Sequence, residues 1–177
     1  ELKFSFVPSL IFVIAFVTIL MSENYRINKC LKNMDIYKQY LVIDSKLNSD
    51  KLKKKRLCDF YISSSFRSCV GLNQRFDYLS VDVLSSVIES GARFLWFDIF
   101  NNNMSNNAQP VVSNGYDKGN WRYTLNSLHF EDVIKRVAST AFNAGYINNY
   151  NDPLILALNL NVQNNLITLN KIKKILI

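Results

Sequence analysis

Residues 91–100 read GARFLWFDIF: a glycine able to end a helix, then an apolar run broken by one acid, Asp98, near its C-terminal end. The run reads as a buried strand, and a buried strand obliges the chain to supply layers that cover it. In α/β barrels chemistry collects at the C-terminal ends of strands. An acid in that position therefore directs attention to what surrounds it.

The flanking sequence supplies the covering elements. Residues 57–65 (LCDFYISSS) read as a strand running into a serine-rich loop. Val81, Leu84, Val87 and Ile88 recur at helical spacing, with Asp82 near the start and Gly91 just past the end. After a polar loop comes the short extended run Pro110-Val111-Val112. Ser127 or a neighbour is placed to cap a helix with Glu131 and Asp132 in its first turn, where acids favour the positive dipole end. Its apolar residues are Phe130, Val133, Ile134, Val137 and Phe142, and Gly145 marks its end. Asn151-Asp152-Pro153 is a turn signal, and residues 154–160 (LILALNL) read as a strand apolar on both faces. Residues 166–177 open another helix. This order of strand, helix, strand, helix, strand, helix predicts an α/β chain with parallel strands. No GxGxxG and no phosphate loop is present.

Upstream, residues 4–21 (FSFVPSLIFVIAFVTILM) carry no charge over 18 residues, close to the roughly 20 that span a bilayer as a helix. Pro8 falls in the first turns, where proline costs least. No small-residue cleavage pattern follows, so the expectation is a retained single-pass membrane anchor over residues 1–21. Residues 22–56 hold ten Lys or Arg against four acids, a net +6, whereas residues 57–177 net only +1. This divides the chain into anchor, basic juxtamembrane stalk (22–56) and a nearly neutral domain (57–177). Arg26, Lys29, Lys32 and Lys38 place that domain on the cytosolic side or its equivalent. Ile27, Leu31, Met34 and Tyr37-Tyr40-Leu41 recur at near-helical spacing and give the stalk one face able to pack on the domain. The run Lys51, Lys53, Lys54, Lys55 and Arg56 reads as a solvated linker, or as a contact for anionic lipid head groups or an acidic partner. A domain so close to neutral argues against nucleic acid as partner. Cys30, Cys58 and Cys69 form no CxxC pair, and Cys58 and Cys69 are expected reduced and at least partly buried.

In order along the chain, Ser64-Ser65, Gly91-Ala92-Arg93-Phe94-Leu95 with Asp98, Pro110-Val111-Val112, Phe130-Glu131-Asp132-Val133-Ile134 and Asp152-Pro153-Leu154-Ile155-Leu156 resemble the X region of phosphatidylinositol-specific phospholipase C, within the phospholipase C-like phosphodiesterases. The resemblance covers about residues 57–175 and looks closest to divergent members encoded by large DNA viruses. It implies a distorted (β/α)8 barrel, of which the first half is visible here, so the natural protein is expected to continue past residue 177. It also implies phosphodiester cleavage by two histidines, one moving a proton on the inositol 2-hydroxyl and one stabilising the phosphoryl oxygens. Eukaryotic members add a calcium ion held by Asn, Glu, Asp and Glu.

Carried over residue by residue, the first histidine falls on Phe66 and the following asparagine on Arg67. The Glu of the metal pair falls on Trp96, and only Asp98 is retained. The second histidine falls on Asn114 or Tyr116, and the last Glu on Asn159. The sole histidine, His129, lies outside these motifs and reads as a surface or capping residue. Asp98 is expected to pair with a nearby Arg or Lys. No calcium or other cofactor is expected from this donor set. The expectation is a membrane-anchored, catalytically degenerate phospholipase C-like domain serving as a structural or interaction module. Its partners would be the lipid bilayer and other proteins. The viral flavour points to a minor capsid protein at an internal virion membrane. The alternative is an active phosphoric diester hydrolase with a rearranged site using Asp98.

Overall fold

A computed structural model describes residues 6–39, 55–73, 75–102, 108–116, 121–163 and 165–177. Helix α1 (Phe6–Gln39) is a single helix of 34 residues, about 51 Å long at the usual rise. It runs across positions 21 and 22 without a break, so the expected border between anchor and stalk is not a structural one. Among the described residues it is the one helix long and apolar enough to cross a membrane by length and composition. Over residues 8–18 its side chains are exposed among the described residues, Leu10, Phe12 and Phe16 included. Its second half docks: Cys30 is buried, and Ile27, Leu31 and Met34 pack against the core as their spacing predicts, whereas Tyr37 is exposed and Tyr40 and Leu41 lie outside the described residues. Lys38 closes the contact with an ion pair to Glu89 at 2.6 Å.

The core is organised on β2 (Phe94–Asn101). Its alternation puts Leu95, Phe97 and Ile99 on the face packed under the helices. Trp96 and Asp98 therefore point to the opposite face. Strand β7 (Ile155–Asn161) pairs with β2 in parallel along its whole length, from Phe94↔Ile155 to Phe100↔Asn161. A strand has two edges, so the short β1 (Ser64–Ser65) and β3 (Pro110–Val112) share the other. β1 is parallel to the start of β2, and β3 is antiparallel to its end. A two-stranded pair, β4 (Gly115–Tyr116) and β5 (Trp121–Arg122), lies apart from this sheet. β6 (Leu128–His129) pairs antiparallel with β3. The sheet is thus mixed rather than wholly parallel. The chain doubles back after β2 before it enters the crossover helix, and doubling back makes antiparallel neighbours.

Helix α2 (Val81–Glu89) is capped by Ser80, whose side chain accepts from the Asp82 amide at 3.1 Å. Gly91 follows with φ 86°, a left-handed conformation that glycine adopts without strain. Helix α3 (Phe130–Ala141) buries Phe130, Val133 and Val137 and packs on α2. It begins from His129, whose backbone is extended and whose exposed side chain makes no cap bond, because β6 runs directly into the helix. Ser127 is not the cap, and the helix stops at Ala141, leaving Phe142 exposed. Helix α4 (Leu166–Leu176) is capped by Asn165, which accepts from the Ile167 and Thr168 amides.

Three expectations change. Residues 57–65 form only a short 3-10 turn (Leu57–Asp59) and two strand residues. Leu57, Phe60 and Tyr61 are exposed, so the apolar pattern there meets no covering layer among the described residues. β7 is not covered on both faces: Asn159 and Leu160, which point to opposite faces, are exposed, and among the described residues β7 pairs with β2 alone. Cys69 and Cys30 are buried, but Cys58 lies on the exposed turn; all three thiols are free. Lys55 and Arg56 are exposed, whereas Lys51, Lys53 and Lys54 lie outside the described residues.

Candidate functional site

The face of β2 that carries Asp98 brings together residues far apart in the chain. Asp98 is buried, its side chain only 3% exposed, and both carboxylate oxygens accept hydrogen bonds. Oδ2 accepts from Arg67 Nε at 2.9 Å. Oδ1 accepts from Trp96 Nε1 at 2.9 Å and from Asn159 Nδ2 at 3.0 Å. The expected cation partner of Asp98 is therefore Arg67. Phe66 completes the group: its ring lies 5.6 Å from that of Trp96, and the Arg67 guanidinium sits 5.0 Å over it.

Each element sets one member. Alternation on β2 puts Trp96 and Asp98 on the same side, two residues apart. The parallel register Asp98↔Asn159 sets the β7 amide directly opposite. Arg67 comes from the loop after β1 with φ 54°, an uncommon conformation for a residue with a side chain. That loop is stitched to β2 from both sides. The Ser68 amide donates to the Trp96 carbonyl at 3.1 Å, and the Trp96 amide donates to Ser68 Oγ at 3.2 Å. Ser68 fixes the position of this loop, and motif matching does not single it out.

Five positions matched by resemblance thus converge: Phe66, Arg67, Trp96, Asp98 and Asn159. Asn114 is buried on the segment between β3 and β4, its carbonyl accepting from the Tyr123 amide at 2.7 Å, and no hydrogen bond among the described residues links it to Asp98. Tyr116 forms the β4–β5 pair through its backbone, opposite Trp121. His129 stands at the N-terminus of α3, paired through β6 with Val111, and is not among the residues bonded or stacked around Asp98.

Among the described residues, those around Asp98 do not make up a calcium site. A calcium site needs six to eight oxygen ligands with several carboxylates. Here one carboxylate has both oxygens engaged by donors, and a guanidinium occupies the position beside it. Among the described residues no cluster of three or more His, Cys, Asp or Glu could hold a metal. What the arrangement does chemically is neutralise and immobilise its only acid.

Arg93, from the same glycine-led motif, has a separate structural task. It is buried, and its guanidinium donates to the Ala141 carbonyl at 2.9 Å and to the Asn149 carbonyl. It thereby ties the negative C-terminal end of α3 to the loop that precedes β7. Burial lowers its pKa, partly offset by the attraction of Asp152.

No curated protein matches the chain. Among solved structures, the S. officinalis PLC21 crystal structure aligns with 59% of the chain at 24% identity and a TM-score of 0.48. The L. pealei PLC21 structure does so at 24% identity and a TM-score of 0.47. The chain spans 12% of the length of each. Residues 53–176 match the family described as phosphatidylinositol-specific phospholipase C, X domain. The match covers well over half of the chain and all the elements around Asp98, and the chain belongs to that family.

Proposed function

We propose that this chain is a membrane-anchored phospholipase C X-type domain that has given up phosphodiester cleavage and serves as a structural or interaction module. One observation carries the reading. At the positions where the resemblance expects proton-handling and ion-holding side chains stand Phe66, Arg67, Trp96 and Asn159, bonded or stacked around Asp98 into a closed group. A phenyl ring cannot move a proton, and both Asp98 oxygens already accept from side chains of the group itself. Under this reading the sheet around β2 is the first half of a (β/α)8 barrel. The long exposed apolar part of α1 is the anchor. The viral flavour of the motifs extends the proposal to a minor capsid protein at a virion membrane.

The test is hydrolysis of phosphatidylinositol and of a generic phosphodiester by the full-length protein, with and without calcium. The expected result is no release of inositol phosphate above the protein-free control. Turnover that is abolished by Asp98→Ala would overturn the reading. It would favour the second one, an active diesterase with a rearranged site. That alternative draws on the Arg67–Asp98 pair, since a guanidinium is a good partner for phosphoryl oxygens. The virion proposal is checked separately, by whether the protein co-purifies with particles and which shell protein crosslinks to it.

A further inference from the structure

We infer that the rim where the parallel strands begin is a self-association surface, on which a second copy of this chain docks rim to rim. Arg93 gathers this surface. Its amide donates to the Ser63 carbonyl at 2.8 Å, just before β1, and its carbonyl accepts from the Ile155 amide at 2.8 Å, at the start of β7. Its guanidinium holds the Ala141 and Asn149 carbonyls. Beside these partners stand exposed aromatics: Phe60 and Tyr61 ahead of Ser63, Phe142 after Ala141, and Tyr146 and Tyr150 around Asn149. The exposed fractions of the five rings together equal about three whole aromatic side chains, or about 600 Å² at roughly 200 Å² each. That is as large as the biggest apolar patches monomers carry, and it approaches the ~800 Å² that each partner brings to a stable interface. Leu57, exposed on the segment before β1, and the charged flanks extend it.

Lipid does not cover these rings. Lys38 is 17 residues past Met21, the last residue of the uncharged run, or about 26 Å along the helix. Its ion pair with Glu89, the last residue of α2, shows that α1 reaches this rim only at the end far from its apolar segment. Apolar surface at that distance from a bilayer is covered by protein.

The charges identify that protein. β1 and β7 pair with opposite edges of β2, so the segments that precede them flank β2 on opposite sides. The segment before β1 carries exposed Lys55 and Arg56; the Arg56 side chain is 83% exposed, with a 3.9 Å contact to Asp59. The turn before β7 carries exposed Asp152. Cation and anion thus stand on opposite sides of an aromatic centre. A twofold axis through that centre sets Arg56 of one copy against Asp152 of the other, twice, with the rings stacked between. This is the self-matching that an isologous contact requires. A partner of one charge sign is matched by only half of the rim. Each α1 runs from its apolar end toward this rim, so the pair sends its two apolar segments in opposite directions and bridges two bilayers. The bridging rests on the anchor proposed above; the pairing does not.

The first test is sedimentation velocity of the full-length protein in detergent over a range of concentrations. The expected result is a reversible monomer–dimer equilibrium. Tyr61→Ser and Tyr146→Ser should each weaken it by about tenfold or more, as loss of a central aromatic does. Arg56→Glu and Asp152→Lys should each weaken it several-fold, and the two reversals in one chain should restore it. Buried Cys69 should stay inert to a thiol reagent in every variant, which controls for folding. A wild-type chain that stays monomeric, or a dimer indifferent to both tyrosine variants, overturns the inference. The second test uses the protein in phosphatidylcholine vesicles, a lipid with no net charge for the basic run to bridge. Mixed donor- and acceptor-labelled populations should cluster and gain energy transfer with the wild type but not with Tyr146→Ser. A detergent dimer that leaves the vesicles unclustered while the protein resists alkaline extraction overturns the rim-to-rim geometry. If alkali strips the protein from unclustered vesicles, the anchor falls and the pairing stands on the detergent result.

Discussion

Replacing Asp98 with alanine removes one acceptor from three donors at once. Arg67 Nε, Trp96 Nε1 and Asn159 Nδ2 all lie 2.9–3.0 Å from the Asp98 oxygens. Breaking a buried ion pair from one side costs about 3–5 kcal/mol, because the remaining charge is left unpaired. Here the cost falls at the lower end. The Arg67 side chain keeps 17% exposure and the face of Phe66, and Asn159 reaches water. We expect a loss of about 3 kcal/mol, equivalent to a fall in Tm of roughly 6–12 °C for a chain of this size. The assay is thermal and guanidinium unfolding of the full chain in detergent, followed by circular dichroism. Arg67→Met supplies the second edge of a double-mutant cycle, with a coupling of about 1.5–3 kcal/mol. The double variant should be less destabilised than the sum of the two single variants. A loss for Asp98→Ala below about 0.5 kcal/mol, together with no coupling, would mean that Asp98 is solvated and free. The group around Asp98 would then not be closed.

Other expectations follow from the same structure. Arg93→Leu should destabilise by about 2–4 kcal/mol, because the Ala141 and Asn149 carbonyls lose their buried donor; a change within the error of guanidinium unfolding would refute it. In the native state a thiol reagent should modify Cys58 alone. Burial pushes the Cys69 thiol far up, and burial with the nearby Asp77 charge raises that of Cys30, so both should react only on unfolding. Rapid native labelling at Cys69 would contradict the packing of the core. Burial opposes the charge of Lys38, but hydrogen bonding and attraction by Glu89 and Asp35 outweigh it and raise its pKa. A lysine whose folded pKa is raised stabilises fully below the unfolded value and loses that contribution as pH climbs through the folded one. Stability should therefore decline above about pH 10.4, and Lys38→Met should flatten that decline.

The fold was legible where one local signal and one packing demand agreed. The Val81, Leu84, Val87 and Ile88 periodicity gave α2, and Gly91 marked its end because only a residue free at positive φ suits that turn. β2 was legible from its apolar run. Residues 57–65 were not, because an apolar, β-prone run forms a strand only with a partner along its length, and pairing here reaches Ser64 and Ser65 alone. The antiparallel β3 and β6 escaped because pairing direction is set by the path of the chain, which short runs of two or three residues do not encode. At the site, the one retained acid was visible, and so was its need for a cation. The identity of that cation was hidden in a left-handed Arg67 whose direction depends on Ser68 bonding to β2. Trp96 and Asn159 looked like losses at matched positions. Register and alternation make them the donors that hold Asp98 in place.

The account stands most directly on whether the Asp98 group has room for a divalent ion. Calorimetric titration of the full-length protein with calcium at millimolar concentration, paired with thermal unfolding in the same buffer, decides it. Ligand that binds only the folded state must raise Tm. The account predicts no saturable heat and no calcium-dependent rise in Tm, for the native chain and for Asp98→Ala alike. Saturable calcium binding that raises Tm and disappears in Asp98→Ala would contradict it.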